Sequence, residues 1–172
     1  MKIQRRAVLA ATLVAAAFAT PSIALAQKKI VLGFAQVGAE SAWRTANTES
    51  IKSAAKDAGI ELKFSDAQQK QENQIKAIRS FIAQKVDVIA FSPVVESGWE
   101  PVLREAKAAK IPVILTDRAV NVKDDSLWVA FMGSDFLEEG RRAGRWLVEK
   151  MKDAKGDVNI VELQVTVGSA PA

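Results

Sequence analysis

An apolar run that ends abruptly on two opposite charges is the first place where this sequence suggests chemistry. Residues 111–115 read Ile-Pro-Val-Ile-Leu, and after one threonine come Asp117 and Arg118. Such a run is typical of a strand buried on both faces of a parallel sheet, and ligands of these sheets bind beyond the carboxyl ends of the strands. A carboxylate that accepts hydrogen bonds beside a guanidinium that donates them suits a ligand with many hydroxyl groups. A local ion pair that ends the strand is the alternative, and position alone does not separate the two interpretations.

Other polar side chains follow the first and third predicted strands. In a doubly wound sheet these strand ends share one edge with Asp117 and Arg118. The further candidate ligand-binding residues at that edge are Gln36, Glu40, Ser41, Trp43, Arg44 and Ser92. An aromatic face can pack on the C–H face of a sugar ring while amides, carboxylates and guanidinium groups bind its hydroxyls. Two alternatives stay open: Trp43 could cover the core, and Glu40 with Arg44, four residues apart, could be a surface helix pair.

Catalytic motifs are mostly absent. The 172 residues contain no cysteine and no histidine, which removes thiol and imidazole catalysis and the commonest metal ligand. The glycine-rich motifs of dinucleotide and phosphate binding are missing as well. The sequence therefore indicates no enzyme, no cofactor and no metal site. A small carbohydrate-active enzyme that uses Glu40 and Asp117 is the catalytic alternative.

Alternating strand and helix patterns must position these residues. Strands are predicted at 29–36, 60–64, 86–91, 111–118, 127–132 and 157–163, and helices at 42–58, 70–84, 97–109 and 135–152. Capping boxes, with Glu three residues after the cap, are predicted at Ser97 and Asp135. The tryptophans away from the predicted edge are interpreted as packing residues: Trp99, Trp128 and Trp146. This order predicts an α/β fold with a doubly wound parallel sheet.

The first 26 residues have the pattern of a secretory signal peptide. Lys2, Arg5 and Arg6 precede an apolar run, and Ala24-Leu25-Ala26 is a cleavage pattern, so we expect cleavage after Ala26 and export to the periplasm. Without these three positive charges the formal net charge falls from +4 to +1. A nucleic-acid partner then loses most of its support.

Five segments in order resemble one family: FAQVGAESAWR (34–44), DAQQKQENQIKAIRSFIAQKVD (66–87), SPVVESGWEPVLREAK (92–107), IPVILTDR (111–118) and NIVELQVTVG (159–168). They are similar to the periplasmic sugar-binding proteins of bacterial ABC importers, of the ribose- and galactose-binding type and nearest to the galactofuranose-binding branch. The resemblance implies the type I periplasmic binding fold, in which two lobes close on a sugar. It makes Asp117 and Arg118 the ligand pair of the first lobe and places Glu40, Trp43 and Arg44 against the sugar.

The same resemblance implies the organisation and partners of the chain. We expect a first sugar-binding lobe at 27–133, and a hinge crossing with an incomplete start of the second lobe at 134–172, so that the chain looks truncated. The expected ligand is galactofuranose or a galactose-like monosaccharide, the expected partner is the membrane permease of an ABC importer, and the expected state is a monomer. The alternatives are the effector core of a sugar-sensing repressor and a non-functional fragment of a binding protein.

Overall fold

The computed structural model describes residues 28–172, so the predicted signal peptide and its cleavage after Ala26 lie outside the described residues. Five parallel strands form one sheet in the order β2-β1-β3-β4-β5. The strands are β1 (Val31–Gln36), β2 (Glu61–Asp66), β3 (Val88–Phe91), β4 (Val113–Asp117) and β5 (Ala130–Gly133). The helices are α1 (Ala42–Asp57), α2 (Gln71–Ala83), α3 (Glu100–Ala108) and α4 (Phe136–Met151), with a 3₁₀ turn at Asp125–Leu127. The α/β, doubly wound prediction is confirmed.

Successive side chains of a strand point to opposite faces of the sheet, and helices cover both faces. Ala35, Phe91 and Leu115 are buried in one core cluster together with residues of α2 and α3. Their neighbours Phe34, Ala90 and Ile114 line the opposite face together with residues of α1. Helix α1 therefore covers one face of the sheet, and α2 and α3 cover the other.

Gly33 allows the ring of Phe81 on α2 to lie directly on β1. A Cβ atom at position 33 would stand 2.6 Å from Cγ of Phe81, closer than carbon atoms pack. Phe81 is itself 4% exposed, so the ring has little space into which it can move.

We expect Gly33→Ala to lower the free energy of unfolding by about 1–3 kcal/mol, the usual effect of overpacking a core. Urea denaturation followed by circular dichroism measures the change. The double variant Gly33→Ala with Phe81→Ala should be less unstable than the sum of the two single variants, because removal of the ring leaves space for the new methyl group. Strict additivity would show that this contact does not limit the packing.

Two predictions of local secondary structure are wrong. Residues 157–163 form no strand, because no strand within residues 28–172 pairs with them, and their apolar side chains are exposed. Ser97 does not cap α3; the cap position is Trp99, which makes no side-chain capping bond. Pro101 fits the first turn of a helix. Helix α3 starts at Glu100, two residues too late for Ser97 to cap it. At α4 the predicted cap is confirmed, since Asp135 accepts a hydrogen bond from the Glu138 N–H at 2.9 Å.

The last forty residues are far more exposed than the sheet. No residue of α4 is buried, and Trp146, interpreted above as a packing residue, is 66% exposed. The tail then returns to the sheet edge, where the Glu96 N–H donates to the Gly168 carbonyl at 2.8 Å. Within residues 28–172, no helix has both the length and the apolar character needed to span a membrane.

Candidate functional site

The predicted residues gather where the strand order reverses. The chain leaves β1 for β2 on one side, while β3 and β4 lie on the other, and ligands of open α/β sheets bind at such a switch point. Helix α1 begins directly above it, capped by Ser41, whose Oγ accepts from the Arg44 N–H at 3.1 Å. This cap fixes the first turn of α1 and directs Arg44 over the ends of β1 and β3.

Arg44 is the centre of the site. Its side chain is 3% exposed, and it donates to four partners. Nη2 lies 2.8 Å from Asp117 Oδ2, Nη1 lies 3.2 Å from Gln36 Oε1 and 3.4 Å from Ser92 Oγ, and Nε lies 3.4 Å from Glu40 Oε1. A guanidinium has five N–H donors, so one donor stays free of these partners. Burial and four acceptors hold this cation in one orientation.

Asp117 is the carboxylate between two arginines. Its Oδ2 lies 2.8 Å from Arg44 and 3.6 Å from Arg118 Nε, and its side chain keeps 20% exposure. Its φ of +64° is left-handed, a conformation that Asp tolerates better than most residues. That turn stops β4 and brings the carboxylate back toward Arg44. Burial first, and then the nearby charge of Arg44, lowers the pKa of Arg118 from its ordinary value.

Gln36 and Ser92 lie beneath the Arg44 guanidinium and are fully buried. The Gln36 amide donates to Asn47 and Thr48 on α1 and accepts from the Val37 N–H, which turns its oxygen toward Arg44. Ser92 Oγ donates to the Thr116 carbonyl at 2.9 Å. The structure therefore brings both residues into the site as supports of Arg44, with no surface open to solvent.

The open rim of the site consists of Trp43, Glu40, Asp117 and Arg118. The Trp43 side chain is 56% exposed, and its ring centre lies 4.7 Å from the Arg44 guanidinium carbon. Cation–π contact at this distance stabilises the ring in one place. Trp43 therefore offers an aromatic face beside groups that donate and accept hydrogen bonds.

An apolar groove of about 670 Å³ continues from Trp43 and Asp117 along the α1 face of the sheet to Gly133 and Ser134. A groove of the same volume between β2 and α2 contains none of the predicted site residues. The first groove therefore adjoins the site, and the second does not. Across residues 28–172, no cluster of three or more carboxylate side chains is arranged to hold a metal ion.

Gln74 was not among the site residues predicted from the sequence, although its position in the helix indicates that it is buried. It lies on α2, four residues before Ile78 and seven before Phe81, and therefore on the apolar face of the helix. All three residues are buried. An amide within a buried apolar stripe needs hydrogen-bond partners, and Gln74 finds them in the backbone beneath the site, at Ala35, Ser92 and Val94.

A doubly wound sheet with a buried arginine and an exposed tryptophan at its switch point defines an α/β ligand-binding lobe. The family model described as periplasmic binding protein domain matches residues 32–172, and the chain belongs to this family. It is 53% identical over 154 residues to the galactofuranose-binding protein YtfQ of Escherichia coli (strain K12), covering 90% of this chain and 48% of YtfQ. The chain thus spans about half the length of that relative.

Two solved structures share the fold and much of the sequence. One, from Mycobacterium smegmatis in complex with β-D-fucofuranose, has a TM-score of 0.80 and 64% identity over 83% of this chain and 47% of that chain. The other is the periplasmic binding protein of the arabinose ABC transporter of Shewanella sp. ANA-3, bound to α- and β-L-arabinofuranose. It has a TM-score of 0.76 and 59% identity over 83% of this chain and 46% of that chain.

Proposed function

We propose that this chain is the sugar-binding lobe of an exported solute-binding protein that captures a monosaccharide for an ABC importer. The single observation that carries the proposal is the carboxylate of Asp117, held between Arg44 and Arg118 beside the exposed ring of Trp43. Its sugar is galactofuranose or a similar five-membered ring, in keeping with the galactofuranose, fucofuranose and arabinofuranose named for its relatives.

Each rim residue has a defined task in this proposal. The Trp43 ring packs on the C–H face of the sugar. Asp117 and Glu40 accept hydrogen bonds from hydroxyls, and Arg118 donates to them. Gln36, Ser41 and Ser92 act through Arg44, two by accepting from its guanidinium and one by capping its helix. The lobe performs no chemical reaction on its ligand.

The wider organisation belongs to the same proposal. Residues 27–133 are the first lobe, and residues 134–172 contain the hinge crossing and the start of a second lobe. An export signal in the first 26 residues would deliver the protein to the periplasm, where the permease of the importer is its partner. One lobe would supply about half of the contacts of a micromolar site, so the expected dissociation constant of this chain is roughly millimolar.

Thermal melting with added sugar tests this function. A ligand at about ten times its dissociation constant stabilises the folded state by about 1.4 kcal/mol. For a chain of this size that corresponds to a rise of about 3–6 °C in the melting temperature. We expect this rise with galactofuranose or fucofuranose and a smaller one with ribose.

Asp117→Asn should abolish the rise, because the amide loses the charge that holds Arg44 while asparagine still tolerates the left-handed backbone. Asp66→Asn is the matched control, since Asp66 ends the edge strand β2 as Asp117 ends β4, and it contacts the Gln68 backbone rather than Arg44. A cooperative melt that no sugar shifts, or a shift that Asp117→Asn retains, would contradict the proposed function.

A further inference from the structure

The Gln74 side chain is a buried amide whose polar atoms are all used. It is fully buried on α2. Its Nε2 donates to the Ser92 carbonyl at 2.6 Å and to the Ala35 carbonyl at 3.3 Å, and its Oε1 accepts from the Val94 N–H at 2.9 Å. One side chain thus joins the backbone of β1 to the backbone that follows β3.

These contacts lie where the two strands stop pairing. The ladder between β1 and β3 ends at the pair Ala35 and Phe91. Gln36 and Ser92 come next, and these two residues accept hydrogen bonds from Arg44 on the opposite side of the sheet. Beyond the last ladder pair, the Gln74 amide supplies a link between these two chain segments.

We infer that Gln74 is a positioning residue, which sets the separation of the β1 and β3 ends and thereby fixes Arg44 for the ligand. The inference rests on the proposed function insofar as the ligand is a sugar. Its structural part, that Gln74 determines the environment of Arg44, stands on the hydrogen bonds alone. The side chain reaches no ligand itself, because the backbone of both strands lies between it and the site.

The comparison of Gln74→Met with Ile78→Val separates positioning from general stability. Methionine keeps the length and volume of glutamine but leaves the two carbonyls and the Val94 N–H without their partner. Ile78 lies one turn further along the same buried face and is fully buried, so its loss of a methyl group destabilises the same helix without touching the strand ends.

Two readouts are measured on the full chain. The first is the NMR signal of the Arg44 Nε–H and its exchange with solvent, which needs no sugar. The second is the affinity for galactofuranose from the shift of the melting temperature. We expect Gln74→Met to move the Arg44 signal, speed its exchange at least tenfold and weaken affinity at least tenfold, while Ile78→Val lowers only the melting temperature.

The outcomes separate this inference from the proposed function. If wild type binds no sugar but Gln74→Met still perturbs the Arg44 signal, the proposed function fails and the positioning role is supported. An Arg44 signal and an affinity that respond equally to both variants would overturn the positioning role. If Gln74→Met does not fold, Gln74→Asn replaces it. That variant keeps the amide but is one methylene too short to bridge both strands, so an unchanged Arg44 signal in it would overturn the inference.

Discussion

Trp99→Ala is expected to lower the free energy of unfolding by about 3–5 kcal/mol, the range for truncating a buried aromatic residue. The Trp99 side chain is fully buried, and its ring centre lies 4.8 Å from that of Phe91 at a tilt of 47°. Its indole N–H donates to the Val95 carbonyl at 2.6 Å. The variant therefore opens a cavity under β3 and leaves one carbonyl without its partner. Urea denaturation monitored by circular dichroism measures the loss.

Trp146→Ala is the matched control, because the same atoms are removed from an exposed position on α4. We expect its effect to stay within about 0.5 kcal/mol of wild type, as for most surface substitutions. The loss of stability in Trp99→Phe should lie between the losses in these two variants, since phenylalanine keeps most of the packing but loses the hydrogen bond. Equal effects of Trp99→Ala and Trp146→Ala on stability would contradict the placement of Trp99 in the core.

The strands of this protein show what a local sequence pattern can and cannot predict. Alternation of strands and helices predicted a doubly wound sheet correctly, because a strand buried on both faces is apolar throughout its own length. Residues 157–163 have a similar composition and form no strand. Strand formation requires hydrogen bonds from a second segment, and no pattern within seven residues reports whether that segment is present.

The site was predicted as a set of residues rather than as an arrangement. Chain order places Asp117, Arg44 and Ser92 at one sheet edge, and the structure brings them together. The sequence could not show that Arg44 is buried, because Glu40 and Arg44 alone are equally consistent with a surface pair. The deciding partner, Asp117, lies 73 residues away in the chain. For the same reason Gln36 and Ser92 were expected at the ligand, whereas they lie under the guanidinium.

Replacing Arg44 by methionine is expected to abolish sugar binding and to destabilise the fold. Loss of one partner from a buried ion pair costs about 3–5 kcal/mol, since the remaining charge is left uncompensated. Asp117 keeps 20% exposure and a contact to Arg118, so we expect about 3 kcal/mol here, at the low end of that range. Arg44→Lys should recover part of this stability but not the affinity, because an ammonium group is a point charge that cannot reproduce the planar fork joining Asp117, Gln36 and Ser92.

A second substitution tests why Arg44→Met destabilises the fold. If the loss of stability comes from an unpaired carboxylate, then Arg44→Met combined with Asp117→Asn should be more stable than Arg44→Met alone. Sugar binding should stay absent in the double variant, because neither the carboxylate nor the fixed cation is restored. If the second substitution lowers stability further, Arg118 already compensates the Asp117 carboxylate, and the loss in Arg44→Met comes from the other contacts of Arg44. A sugar-dependent rise of the melting temperature in Arg44→Met would show that this arginine does not organise the ligand site.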